Sequence, residues 1–138
     1  MKKICLIFSM ILMNLMFLSI SNIYAADLDR ITNYIVTVDP RMNDGSLDIT
    51  YEITWKVLDS TTEGPLSWVT IGTPNEYFDT PTALSNNINK IGKYSTSYVK
   101  ITFDREYHAG EEITFKYSIH QANMHEVSGS NCEFKFTP

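Results

Sequence analysis

Between Ser46 and Val57 apolar and polar side chains alternate without interruption for twelve residues. Leu47, Ile49, Tyr51, Ile53, Trp55 and Val57 take the odd positions; Ser46, Asp48, Thr50, Glu52, Thr54 and Lys56 take the even ones. Successive side chains on a strand point to opposite sides of the sheet, so this run describes a strand with one dry and one wet face. Burying its six apolar side chains contributes on the order of 1.5–3 kcal/mol each before entropy is subtracted. The run is therefore expected to be the spine of a small core.

The first residues stand apart from that core. Met1-Lys2-Lys3 is a short basic start, Ile4 to Ile20 is almost continuously apolar, and Ser21 to Ala25 is a polar stretch ending in a small residue. This is the pattern of a secretory signal peptide over residues 1–25, with an uncleaved membrane anchor as the alternative. The remaining 113 of the 138 residues, 26–138, suit one domain able to bury a core without disulfides. Removing Lys2 and Lys3 from the 11 basic side chains leaves nine against 16 acidic ones, a formal charge of −7. That balance argues against nucleic acid as a partner and against anionic lipid surfaces. Only Cys132 remains in this part, so no internal disulfide forms. No Asn-x-Ser/Thr acceptor occurs, which with the basic start leans toward a bacterial exported protein.

Along the domain, a first strand is expected from Thr32 to Asp39, ended by Pro40, and Asn43-Asp44-Gly45 offers the Asp-Gly turn of an antiparallel hairpin into the spine. The same loop does not suit an EF-hand, because Pro40 and Met42 would fall where oxygen ligands are needed. Leu66 to Gly72 reads as a third strand with apolar residues on both sides, expected between two layers or against a partner. Residues 73–89 are loop-like, and Thr80 ahead of Pro81 predicts one short helix over 81–89. Lys90–Tyr94 and Tyr98–Asp104 form a second hairpin, and Ile113, Phe115, Tyr117 and Ile119 alternate with polar residues in a strand nearly as clean as the spine. Beyond a polar loop at Ser128-Gly129-Ser130, Cys132, Phe134 and Phe136 alternate with Glu133 and Lys135. About seven short strands with frequent turns predict an all-β, antiparallel, immunoglobulin-like β-sandwich.

Several residue groups invite a chemical reading. His120, His125 and Cys132 are zinc-type ligands, but their spacing matches no common site, and exposed histidines at a strand end and in a loop account for them. Asp104, Glu106, Glu111 and Glu112 surround the turn at Gly110, and paired carboxylates are what glycoside hydrolysis uses. A charged rim explains them equally. No nucleophile elbow, phosphate-cradling glycine loop or His-Glu-x-x-His stretch is present. No cofactor is implied, and the chain is expected not to be an enzyme.

The aromatic residues carry the sharpest reading. Trp55 belongs to the dry face of the spine, whereas Trp68 lies on the third strand and Tyr77, Tyr94, Tyr98 and Tyr107 fall in or beside loops. Flat rings with amide and carboxylate neighbours are how β-sandwiches hold sugars, so these five are candidate binding residues. Ordinary core and edge packing is the alternative.

The run Asp44-Gly45-Ser46-Leu47-Asp48-Ile49-Thr50-Tyr51, followed by Trp55, Glu63-Gly64-Pro65-Leu66, Trp68-Val69, Phe103-Asp104-Arg105, Ala109-Gly110-Glu111 and Phe136-Thr137-Pro138, resembles uncharacterised exported surface proteins of Gram-positive bacteria. The resemblance implies the amino-terminal β-domain of a longer ectodomain that continues past Pro138 toward a membrane anchor. It brings no activity and no functional residues. The reading that emerges is a non-enzymatic structural or interaction module, secreted or on the extracellular face of the envelope. Its partner is a protein or an envelope glycan. Membrane attachment would come only through the leader or a further carboxyl-terminal segment. The alternatives are a carbohydrate-binding sandwich and a hydrolase using the carboxylates near Gly110.

Overall fold

Ser46–Val57 is a strand over its whole length in a computed structural model of the protein, which describes residues 27–41, 43–129 and 131–136. The expected leader over 1–25 lies outside the described residues. Nine strands follow in chain order: β1 (Asp29–Arg41), β2 (Ser46–Val57), β3 (Leu66–Gly72), β4 (Thr82–Ala83), β5 (Ile88–Ser95), β6 (Tyr98–Tyr107), β7 (Glu112–Gln121), β8 (His125–Ser128) and β9 (Asn131–Phe134). All pairings are antiparallel. One sheet runs β1-β2-β7-β4, a second runs β3-β6-β5, and β8-β9 form a separate hairpin.

The spine earns its place by being paired along both edges. β1 matches it from Asp29 opposite Val57 to Arg41 opposite Ser46, and β7 from Leu47 opposite Gln121 to Lys56 opposite Glu112. Its odd side chains Leu47, Ile49, Tyr51, Ile53 and Val57 are buried, as are Ile113, Phe115, Tyr117 and Ile119 on the matching face of β7. The second sheet closes over this surface with Val69, Val99, Ile101 and Phe103. Phe103 of β6 meets Phe115 of β7 edge-on across the layer boundary, ring centroids 5.1 Å apart. Alternation in the sequence has thus become two apolar faces pressed together, the all-β sandwich the pattern predicts.

The β1–β2 turn is built as its residues require. Asp44 accepts the Ser46 backbone N–H at 3.0 Å and its hydroxyl at 2.6 Å, and Gly45 takes a φ of 69°. A side chain at Gly45 would be strained by that φ and would also enter the imidazole of His125, whose Nδ1 hydrogen-bonds the Gly45 carbonyl at 3.0 Å. The β8–β9 hairpin is docked to the rest of the fold by this contact.

Two expectations are corrected. The segment 81–89 contains no helix: it forms the two-residue strand β4 and a turn. Its polar groups find partners on β7 instead of one helical turn back. Leu84 N–H donates to the Lys116 carbonyl at 2.9 Å, the Ser85 hydroxyl accepts the Lys116 N–H at 2.7 Å, and the Asn87 side-chain amide donates to the Thr114 carbonyl at 2.8 Å. β3, in turn, does not lie between two layers of this chain: it pairs with β6 alone, at the edge of its sheet, with Val69 turned inward and Trp68 outward.

Candidate functional site

The registers of the second sheet decide where its outward side chains fall. Trp68 lies opposite Thr102, Thr70 opposite Lys100 and Gly72 opposite Tyr98, while on the other side of β6 Lys90 lies opposite Thr102 and Gly92 opposite Lys100. Residues opposite one another across an antiparallel pair share a face. Trp68, Lys90, Gly92, Tyr98, Lys100 and Thr102 therefore stand together on the outer surface. The pairing irregularity between Lys93 and Ser95 brings Tyr94 beside them. Trp68, Tyr94 and Tyr98 are 49%, 62% and 49% exposed, so these rings are not core.

Lys100 is the centre of this surface. Its Nζ lies 4.1 Å from the Trp68 ring centroid and 5.5 Å from that of Tyr94, a cation held between two π-faces. At an exposed site each such contact is worth about 0.5–1 kcal/mol. Between β5 and β6 runs a shallow groove of about 280 Å³ bounded by Lys90, Lys93, Tyr94, Lys100 and Thr102, with Gly92 on its floor.

The charge of this face contrasts with the rest of the molecule. Arg41, Lys56, Arg105, Lys116 and Lys135 each pair with a carboxylate, namely Asp48, Glu112, Glu111, Glu52 and Glu126. Lys90, Lys93 and Lys100 pair with none among the described residues, and of the other described Lys and Arg side chains only Arg30 shares this. From Thr80 to Phe103 the sequence contains no Asp or Glu at all. Sequence reasoning passed over these lysines, each of which looks like an ordinary solvated residue; the gap in acidic residues, in a chain of net charge −5, is the signal that marks them.

Of the five candidate aromatics, Trp68 and Tyr94 flank Lys100, Tyr98 lies further along the same face opposite Gly72, and the other two lie elsewhere. Tyr77 is exposed on the β3–β4 loop, where its carbonyl accepts the Ala122 N–H at 2.7 Å and the buried Gln121 side chain at 3.0 Å. Tyr107 is a correction. Only 5% exposed, it packs edge-on against Phe103 and donates its hydroxyl to Asp104 at 3.1 Å, because β6 continues through Tyr107, which pairs with Leu66 of β3.

The remaining candidates are dispersed. His120 shares its Nδ1 with Asp48 at 2.7 Å on the outer face of the first sheet, where His120 and Arg41 together hold the Asp48 carboxyl below its ordinary range. His125 is engaged with the Gly45 carbonyl, and Cys132 is exposed on β9 opposite Val127. No three His, Cys, Asp or Glu side chains group as metal ligands among the described residues. Around Gly110, Glu111 is clamped by both guanidinium nitrogens of Arg105 and accepts the His108 N–H at 2.7 Å. Its acidity is strengthened accordingly, first by Arg105, which is the opposite of what a general acid needs. Glu112 lies 3.7 Å from Lys56 and Asp104 faces Tyr107, so the four carboxylates are not converged on a shared space.

A second concavity of about 560 Å³ opens between the sheet edges β1 and β3, walled by Ile31, Tyr34, Tyr51, Trp55 and Ile71. Trp55, expected in the core, contributes one wall, and its buried indole N–H has no partner among the described residues. Tyr51 stacks on Tyr117 here, centroids 5.0 Å apart, and burial pushes both phenols above their ordinary pKa. Tyr51 belongs to the core, Trp55 and Ile71 are partly buried, Ile31 and Tyr34 are exposed, and no charged residue among those described lines the cleft. Comparison with models of protein families and with curated proteins returns no match.

Proposed function

We propose that the chain is a non-enzymatic interaction module, exported to the extracellular face of the envelope, that meets a carbohydrate ligand with the outer face of the β3-β6-β5 sheet. The observation that carries this reading is the placement of exposed Trp68, Tyr94 and Tyr98 on one sheet face with Lys90 and Lys100, which have no carboxylate partner among the described residues. Large rings held on a rigid sheet lose little conformational freedom on binding and offer flat apolar surface to a sugar. The address rests on the apolar leader pattern at the amino terminus and on the resemblance to exported surface proteins.

The test is an immobilised-glycan panel probed with the protein and with Trp68→Ala and Tyr77→Ala. Loss of a buried or stacked tryptophan at a contact centre typically costs about 2 kcal/mol or more, above tenfold in affinity. Wild type and Tyr77→Ala are expected to give the same positive set, and Trp68→Ala to lose it with its thermal midpoint retained. A panel without any Trp68-dependent signal would refute the reading.

A further inference from the structure

One face of Trp68 is already occupied by a cation. With the Lys100 ammonium 4.1 Å from the centre of Trp68, a neutral sugar stacking on that face has to displace it, whereas an acidic substituent meets a charge held in place. Lys90 stands on the same face two residues from Gly92, and Lys93 lies at the rim with its ammonium 4.4 Å from the Phe78 ring. None of the three has a carboxylate partner among the described residues. The first carboxylate along β6, Asp104, is taken by the Tyr107 hydroxyl. It follows Lys100 by four residues, roughly 13 Å along a strand, and follows Thr102, the residue opposite Lys90, by two, roughly 7 Å. Lys100 is thus the cation of the groove furthest from a β6 carboxylate, and Asp104 flanks the Lys90 end.

The floor of the groove adds a second, independent observation. A Cβ built on Gly92 meets nothing within 4 Å, and Gly92 does not have a left-handed φ. Nothing in packing or backbone conformation requires glycine there, and the residue opposite is Lys100. The effect of glycine at this position is an open floor beside the ammonium.

From this geometry we infer that the β5–β6 groove binds an acidic oligosaccharide, its carboxylate or sulfate groups held by Lys100 and Lys90 and a sugar ring lying over Gly92 against Tyr94. This rests on the reading of the face as a carbohydrate surface and names the class of sugar it takes. An extended nucleic-acid strand fits less well. It needs a basic track along its backbone, and here the lysines form one patch bounded on β6 by Asp104 and Glu106.

Calorimetric titration of the protein with hexagalacturonate, a heparin hexasaccharide, neutral cellohexaose and a short single-stranded thymidine oligonucleotide tests the inference. At least one acidic hexasaccharide is expected to bind about tenfold or more tighter than cellohexaose, and to weaken about tenfold between ~20 and ~200 mM salt. Lys90→Gln/Lys100→Gln is expected to remove that preference. Gly92→Val is expected to abolish binding while leaving the thermal midpoint unchanged or raised, since valine suits an open strand position. Equal, Trp68-dependent binding of neutral and acidic sugars overturns the acidic ligand and leaves the carbohydrate surface standing. Absence of Trp68-dependent binding by any saccharide overturns both. Tighter, Gly92-dependent binding of the oligonucleotide overturns the inference in favour of nucleic acid.

Discussion

Replacing Gly45 by alanine probes the joint between the β1–β2 turn and the β8–β9 hairpin. Two separable costs are expected. The left-handed φ of 69° costs an L-residue about 1–2 kcal/mol whatever surrounds it. The new methyl also collides with the His125 ring, which must leave the turn and give up its 3.0 Å hydrogen bond to the Gly45 carbonyl, about 0.5–1.5 kcal/mol, together with packing on Phe134. Gly45→Ala should therefore destabilise by about 2–4 kcal/mol, on the order of 4 °C of midpoint per kcal/mol in a domain of this size. In a His125→Ala background the collision disappears and only the φ cost remains. The double-mutant cycle, measured by urea unfolding, should show the double mutant about 1–2 kcal/mol more stable than the sum of the single effects predicts. Additive single effects would refute the placement of His125 over the turn.

Three further outcomes follow from buried or turn-bound groups. The Tyr117 hydroxyl is buried without a partner among the described residues, so Tyr117→Phe should be neutral or stabilising by about 1 kcal/mol in chemical denaturation; a loss of that size would contradict it. Burial raises the Tyr51 and Tyr117 pKa values above the ordinary value of 10, so the unfolded chain releases these protons first as pH rises. The stabilisation is fully present below about pH 10 and is lost above it, and unfolding midpoints at pH about 8 and about 11 should differ in that direction. The Thr62 and Thr61 hydroxyls and the Thr61 N–H hold Asp59 down to about 2. Its contribution is present above the ordinary carboxylate value and lost as pH falls toward 2. An NMR titration placing the Asp59 carboxyl at its ordinary value would contradict the turn geometry.

What the sequence discloses and what it conceals divide along a physical line. β2 and β7 are legible because each is a long run whose period-2 pattern is set by burial of one face, a property local to the strand. The 81–89 segment was not, because Pro81 and a capping residue argue for a helix locally, while the groups that fix it belong to Lys116 and Thr114, some thirty residues away. β3 shows apolar residues on both sides in either setting, and only the sheet order reveals that Trp68 faces solvent. The candidate site follows the same rule. The rings were visible as residue types, but the assembly of Trp68, Lys100 and Gly92 depends on two strand registers that no single segment encodes. Tyr107 looked like a loop tyrosine because its burial depends on β6 extending past Asp104 to pair with Leu66 and on the Phe103 ring.

The central claim is that ligand meets the outer face of the β3-β6-β5 sheet. Mapping amide chemical shifts of the isotopically labelled protein during titration with hexagalacturonate tests it most directly. The account predicts perturbations centred on Lys90, Gly92, Tyr94, Lys100 and Thr102 and extending to Trp68. Perturbations centred instead on Asp48 and His120, or on Ile31 and Tyr34 in the cleft between the sheet edges, would contradict it.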